Sequence, residues 1–177
     1  MKTRGFASLR RAICALLAAL MLLAAPAALA DITVNAADYP VKKDGWYDTR
    51  EEVAVYLTEF DALPGNFLTK AEAQALGWQS SRGNLWDVAN GKAIGGDRFG
   101  NYEKLLPDEK GRSWTECDIG FTGGFRGGER IVFSNDGLIY YTGDHYASFE
   151  QVIVVAEEEE ESLGFENLFD LLRWLLE

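Results

Sequence analysis

A handful of side chains in the 177-residue sequence have the chemistry to grip an anion or move a proton. His145 is the single histidine, set in the turn-like string Gly143-Asp144-His145-Tyr146. Histidine is the one side chain whose ordinary pKa lies near neutrality, which suits proton transfer. Lys70 falls in the first turn of an expected helix, where the dipole disfavours a cation by roughly a few tenths of a kcal/mol. A cation there, beside free backbone N–H groups, makes an anion site. Arg126 and Arg130 flank Gly127-Gly128, two guanidinium groups on either side of a flexible loop, suited to bidentate phosphate contacts. Glu116 alternates with Trp114 and Asp118 on one side of an expected strand. Each also has a plainer reading when taken singly: a surface histidine, a solvated lysine, arginines paired with the many acids, and a carboxylate on the open side of a sheet.

The elements that must position these residues are written in the hydrophobic pattern. Thr49-Arg50-Glu51-Glu52 has the form of a capping box, and Val53, Tyr56, Leu57 and Phe60 follow at helical spacing until Leu63-Pro64-Gly65. Thr69-Lys70-Ala71-Glu72 is a second capping box, with Ala71, Ala75 and Leu76 behind it and Gly77 as the stop. A third short helix is expected over Leu85–Ala89. From residue 94 onward the chain turns to glycine-punctuated β-type runs: Ser113–Phe121, Arg130–Ser134, Leu138–Thr142 and Ser148–Val155, with Asn135-Asp136-Gly137 as a hairpin signal. Helices first and meandering strands afterwards predict an α+β fold, N-terminal helices packed on one face of a twisted antiparallel β-sheet. No internal repeat is visible.

The two ends differ from this middle. Lys2, Arg4, Arg10 and Arg11 precede an apolar run from Ala12 to Ala25, and Ala28-Leu29-Ala30 has the small-x-small form of a cleavage site. Residues 1–30 therefore read as an export signal and the mature protein as secreted, with no membrane anchor. Net charge is −11 over the whole sequence and −15 from Asp31 onward, which argues against binding nucleic acid through a general basic field. Any polyanion site must be local. Cys14 leaves with the signal, so Cys117 stands alone, with no internal disulfide and the character of a small buried hydrophobe. Residues 31–46 form an N-terminal extension, 47–155 the main domain and 156–177 a tail. In that tail Glu157–Glu161 precede an expected amphipathic helix over Gly164–Glu177, with Phe165, Leu168, Phe169, Leu172, Leu175 and Leu176 on one stripe. The acidic run is a solvated segment and a poor metal site, because consecutive acids do not converge on one ion.

Read together, the middle strings closely resemble the barnase-type, guanyl-preferring secreted bacterial ribonucleases. The matching segments are Thr69 to Trp78, Gly83 to Ala89, Ile94 to Asp97, Gly111 to Glu116, Gly124 to Arg126, Arg130-Ile131, Leu138 to Tyr140 and Asp144 to Phe149. Leu63 to Tyr146, about half the chain, carries the match.

The resemblance implies metal-free and cofactor-free transesterification of single-stranded RNA. Glu116 matches the general base that takes the ribose 2′-OH proton, and His145 the general acid that protonates the departing 5′-oxygen. Lys70, Arg126 and Arg130 match cations around the phosphate, where a fixed donor is typically worth about 2.7–4 kcal/mol in the transition state. Phe99-Gly100-Asn101-Tyr102-Glu103 matches the base-reading loop, with Glu103 accepting from guanine, and Tyr146 matches a ring beside the scissile nucleotide. Tyr102 stands where the family commonly has arginine. An inhibitor protein of the barstar type is implied by resemblance alone. Two other readings use the same residues: a ribonuclease fold held inactive by its acidic tail lying over the cations, and an RNA-binding module with weak catalysis.

Overall fold

The computed structural model describes residues 31–156, and the segments expected to be an export signal and a tail helix lie outside that range. Seven strands form one sheet: β1 (Ile32–Asn35), β2 (Phe67–Leu68), β3 (Ala93–Phe99), β4 (Trp114–Asp118), β5 (Arg130–Ser134), β6 (Ile139–Thr142) and β7 (Glu150–Val155). Their order is β1-β7-β6-β5-β4-β3-β2. Three α-helices accompany them: α1 (Arg50–Phe60), α2 (Lys70–Ala75) and α3 (Leu85–Val88). The α+β class is as expected, but the expected purely antiparallel sheet is corrected. β3 to β7 are antiparallel, whereas β1 runs parallel to β7 and β2 parallel to β3 at the two edges. Parallel edge pairs join residues far apart in sequence, so no local turn signal announces them. Ile32–Asn35, part of the expected extension, is thus a strand of the sheet, and its Val34 is buried.

Alternation along the strands separates two faces. Cys117, Ile119, Ile131, Ile139 and Val152 meet Val53, Ala54, Val55 and Leu57 of α1 in the main core. The opposite positions hold Glu116, Asp118, Arg130 and Thr142, all buried and polar. A charge is buried only when paired, so this face has to be a network. Beside it Trp114, Val132 and Leu106 form a small apolar cluster with Phe99, Tyr146 and Phe149 against it. A third cluster seats α2 and α3 through Ala73, Trp78, Leu85, Ile94 and Phe121. Cys117 is free and fully buried, and burial pushes its thiol far up, so it is inert packing.

Glycine explains why β3 is obscure in the sequence. A Cβ on Gly95 would stand 2.7 Å from both the Phe67 ring and the Cys117 Cβ, so only glycine lets β2 and β4 close on β3 there. Gly96 follows at φ +93°, and the register slips between Gly95 and Asp97 in a β-bulge. The bulge sets Asp97 opposite Glu116. The Asn135-Asp136-Gly137 turn is present, with Gly137 at φ +92°, and Arg112 grips Asp136 through Nε and Nη2.

Candidate active site

Lys70 is placed by the capping box. Thr69 Oγ1 accepts from the Glu72 N–H at 3.2 Å, the Glu72 carboxylate accepts from the Thr69 N–H at 2.8 Å, and α2 starts one residue later. The helix-start N–H of Lys70 is not free for an anion as expected, because it donates to Asp97 Oδ2 at 2.9 Å. The ammonium reaches across to Glu116 Oε1 at 2.6 Å. The other carboxylate oxygen, Oε2, accepts from the Tyr146 hydroxyl at 2.7 Å. Burial raises the Glu116 pKa, but the hydrogen bonds from Lys70 and Tyr146 and the charges of Lys70 and Arg126 outweigh it and hold the group below the usual carboxylate range. Tyr146 moves the other way, pushed up to about 12 by burial and by the carboxylate it donates to, so it remains a donor.

The two arginines share one buried acid. Asp118 accepts from Arg126 Nε and Nη2, each at 2.6 Å, in a bidentate pair. Arg130 Nε lies 2.8 Å from Asp118 Oδ1 but is not aligned to hydrogen-bond there, while its Nη1 donates to the Glu129 carbonyl at 2.6 Å. Of the sequence readings of these arginines, the pairing with an acid is what the structure shows, and the acid is a buried one rather than a surface one. The register makes this possible, since Asp118 stands directly opposite Arg130 across β4 and β5. Asp118 is two residues from Glu116, so period-two alternation was the one sequence signal for its part; its double pairing needed the fold.

His145 and Tyr146 both adopt left-handed backbone, at φ +57° and +71°. For non-glycine residues that costs about 1 kcal/mol or more each. The surroundings hold them there. The His145 N–H donates to the Gly128 carbonyl at 3.2 Å and the Tyr146 N–H to Thr142 Oγ1 at 3.0 Å. Asp144 Oδ1 accepts from Thr142 Oγ1 and the Ser148 N–H, both at 2.9 Å, and Oδ2 from Ser148 Oγ at 2.6 Å. The Ser148 bonds, then Thr142, hold the Asp144 carboxyl at about 2. The result is an exposed imidazole whose ring centre lies 4.9 Å from that of Tyr146, the residue bonded to Glu116. Lys70, Glu116, Tyr146 and His145 thus form one continuous line of contacts, with Arg126 and Arg130 anchored beside it on Asp118.

The loop from Phe99 onward borders this line through Phe99, whose ring stacks on Tyr146 at 5.2 Å between centres. Asn101, at φ +45°, ties the loop together by accepting from the Leu106 N–H and donating to the Leu106 carbonyl. The Tyr102 ring lies against Gly100, where a Cβ would stand 2.3 Å from it, and is 89% exposed. Glu103 is exposed. A cavity of about 270 Å³ opens beside the loop, lined by Arg98, Phe99, Asn101, Tyr102, Arg112 and Trp114, without Glu116 or His145. Among the described residues no group of three or more His, Cys, Asp or Glu side chains is arranged around a metal position.

The model of a family described as ribonuclease matches residues 50–153. Proteins named ribonuclease from Heyndrickxia coagulans and Bacillus intermedius are each 51% identical over 105 residues, 59% of this chain; the match spans 96% of the first and 65% of the second. A solved ribonuclease Sa2 is 33% identical over 30% of this chain and 58% of its own, at a TM-score of 0.28, an overlap too small to bear on the fold. With the matched span running from α1 into β7 and containing every side chain of the site just described, the chain belongs to the barnase-type ribonuclease family.

Proposed function

We propose that this ribonuclease is exported through residues 1–30 and cleaves single-stranded RNA on the 3′ side of guanine by general acid–base transesterification, without a metal ion. The carrying observation is the unbroken line from Lys70 through Glu116 and Tyr146 to His145. Glu116, ionised and desolvated, takes the 2′-OH proton as that oxygen attacks phosphorus. His145, on the other flank and open to solvent, gives a proton to the 5′-oxygen as its bond to phosphorus breaks. The products are a 2′,3′-cyclic phosphate and a free 5′-hydroxyl, and the 2′-OH requirement spares DNA. Arg126 and Arg130, prevented by Asp118 from collapsing onto Glu116, meet the nonbridging oxygens at fixed angles. Phe99 and Tyr146 form the aromatic wall beside the base, and the loop to Glu103 selects guanine.

The test takes protein from culture medium, with its N-terminus read at Asp31, and incubates it with a short single-stranded RNA and a chelator. Cyclic phosphate after G is the expected end. Random ends, or activity abolished by the chelator, would overturn the proposal. Glu116→Gln and His145→Ala should each cost about 10²–10⁴ in kcat/KM.

A further inference from the structure

Phe125 is a large apolar side chain left 71% exposed in the segment that carries Arg126. Nothing in the reaction as described uses it. Its backbone is not loose: Gly123 and Gly124 take φ +91° and +74°, Asn84 forms a β-bridge to Gly124, and a Cβ on Gly83 would stand 3.0 Å from the Phe125 nitrogen. Positions 124 and 127, by contrast, have no atom within 4 Å of an added Cβ, so the segment around Phe125 is uncrowded. A fixed backbone presenting a bare ring into open space, one residue from a phosphate-side guanidinium, is the form of a base-stacking platform.

The contacts also say which nucleotide it meets. Resting on the reaction proposed above, the base-reading side of the cleft is the side where Tyr146 stacks on Phe99. The leaving side is marked by His145, whose N–H donates to Gly128 in the same segment as Phe125. A Cβ on Gly128 would lie 3.4 Å from the His145 nitrogen, so the segment and the acid are packed together. We propose that Phe125 stacks the base of the nucleoside on the leaving side of the scissile phosphate, the one whose 5′-oxygen His145 protonates.

The experiment compares two substrates of the same enzyme. A guanosine-containing dinucleoside phosphate has a leaving nucleoside; guanosine 2′,3′-cyclic phosphate, turned over in the hydrolytic step, has none. Phe125→Ala should lower kcat/KM for the dinucleoside phosphate by roughly tenfold, the scale of one lost base stack, and change cyclic-phosphate turnover by less than about twofold. Phe125→Trp should restore the first value and Phe125→Leu should not, since the leucine is apolar but has no planar face. Equal losses on both substrates, or rescue by leucine as full as by tryptophan, would overturn the assignment. Failure of the wild-type protein to cut the dinucleoside phosphate at all would instead overturn the reaction itself. Thermal unfolding of each variant shows whether the fold has changed.

Discussion

Tyr146 links Glu116 and His145, the two groups proposed to handle protons, since its hydroxyl bonds Glu116 and its ring lies against His145. Two donors, Lys70 and Tyr146, set the ionisation of Glu116 against the opposing effect of burial. The sign of their removal follows. Each favours the carboxylate, so losing either raises the Glu116 pKa. In the free enzyme a base must be deprotonated to work, so the acidic limb of the kcat/KM profile should move to higher pH in Tyr146→Phe and in Lys70→Ala. A pH series of initial rates on one dinucleoside phosphate checks this, and a limb that stays put or moves to lower pH contradicts it. The residue types and order of the site were legible because the motifs are specific. What escaped was the support: Asp118 holding two arginines, Asp97 accepting from the Lys70 N–H, and the Gly128, Thr142 and Asp144 bonds around the left-handed His145-Tyr146 pair. These are contacts between strands or across turns, and no local pattern encodes the partner.

At the scale of elements, the short helices and the inner hairpins were readable from caps, spacing and turn chemistry. Thr69 with Glu72 closes its capping box in full, and Asn135-Asp136-Gly137 turns as its sequence requires. β1, β2 and β3 were not, because the first two are short parallel edges and the third is broken by Gly95-Gly96, which weakens any strand signal. β1 has energetic weight nevertheless. Val34 is 2% exposed in the main core, whereas Ile153 on the neighbouring β7 is 38% exposed. Val34→Ala should therefore cost about 2 kcal/mol and Ile153→Ala less than half of that. Urea unfolding followed by tryptophan fluorescence gives both numbers. An unchanged midpoint for Val34→Ala would mean that the edge strand is not part of the cooperative unit.

The molecule as a whole is acidic, with −15 from Asp31 to the C-terminus, while its substrate is a polyanion. The site does not escape this balance, since Glu116 and Asp118 offset two of the three cations. Exposed charges more than about 10 Å away are largely screened at 0.1 M salt, so capture depends on contact rather than long-range attraction. The kcat/KM on RNA should accordingly fall by less than about tenfold between 50 and 200 mM salt, well short of proteins that neutralise many phosphates. A fall of about a hundredfold or more would show a wider basic footprint than the cleft supplies.

The sulfhydryl of Cys117, the one cysteine among the described residues and shut inside the main core, gives this enzyme a built-in clock. In a protein beginning at Asp31, which lacks Cys14, a thiol-alkylating reagent has a single target, and it reaches that target only when the barrier between α1 and the sheet opens. At saturating reagent the labelling rate then equals the opening rate, so the lifetime of the native state is measurable without denaturant and without RNA.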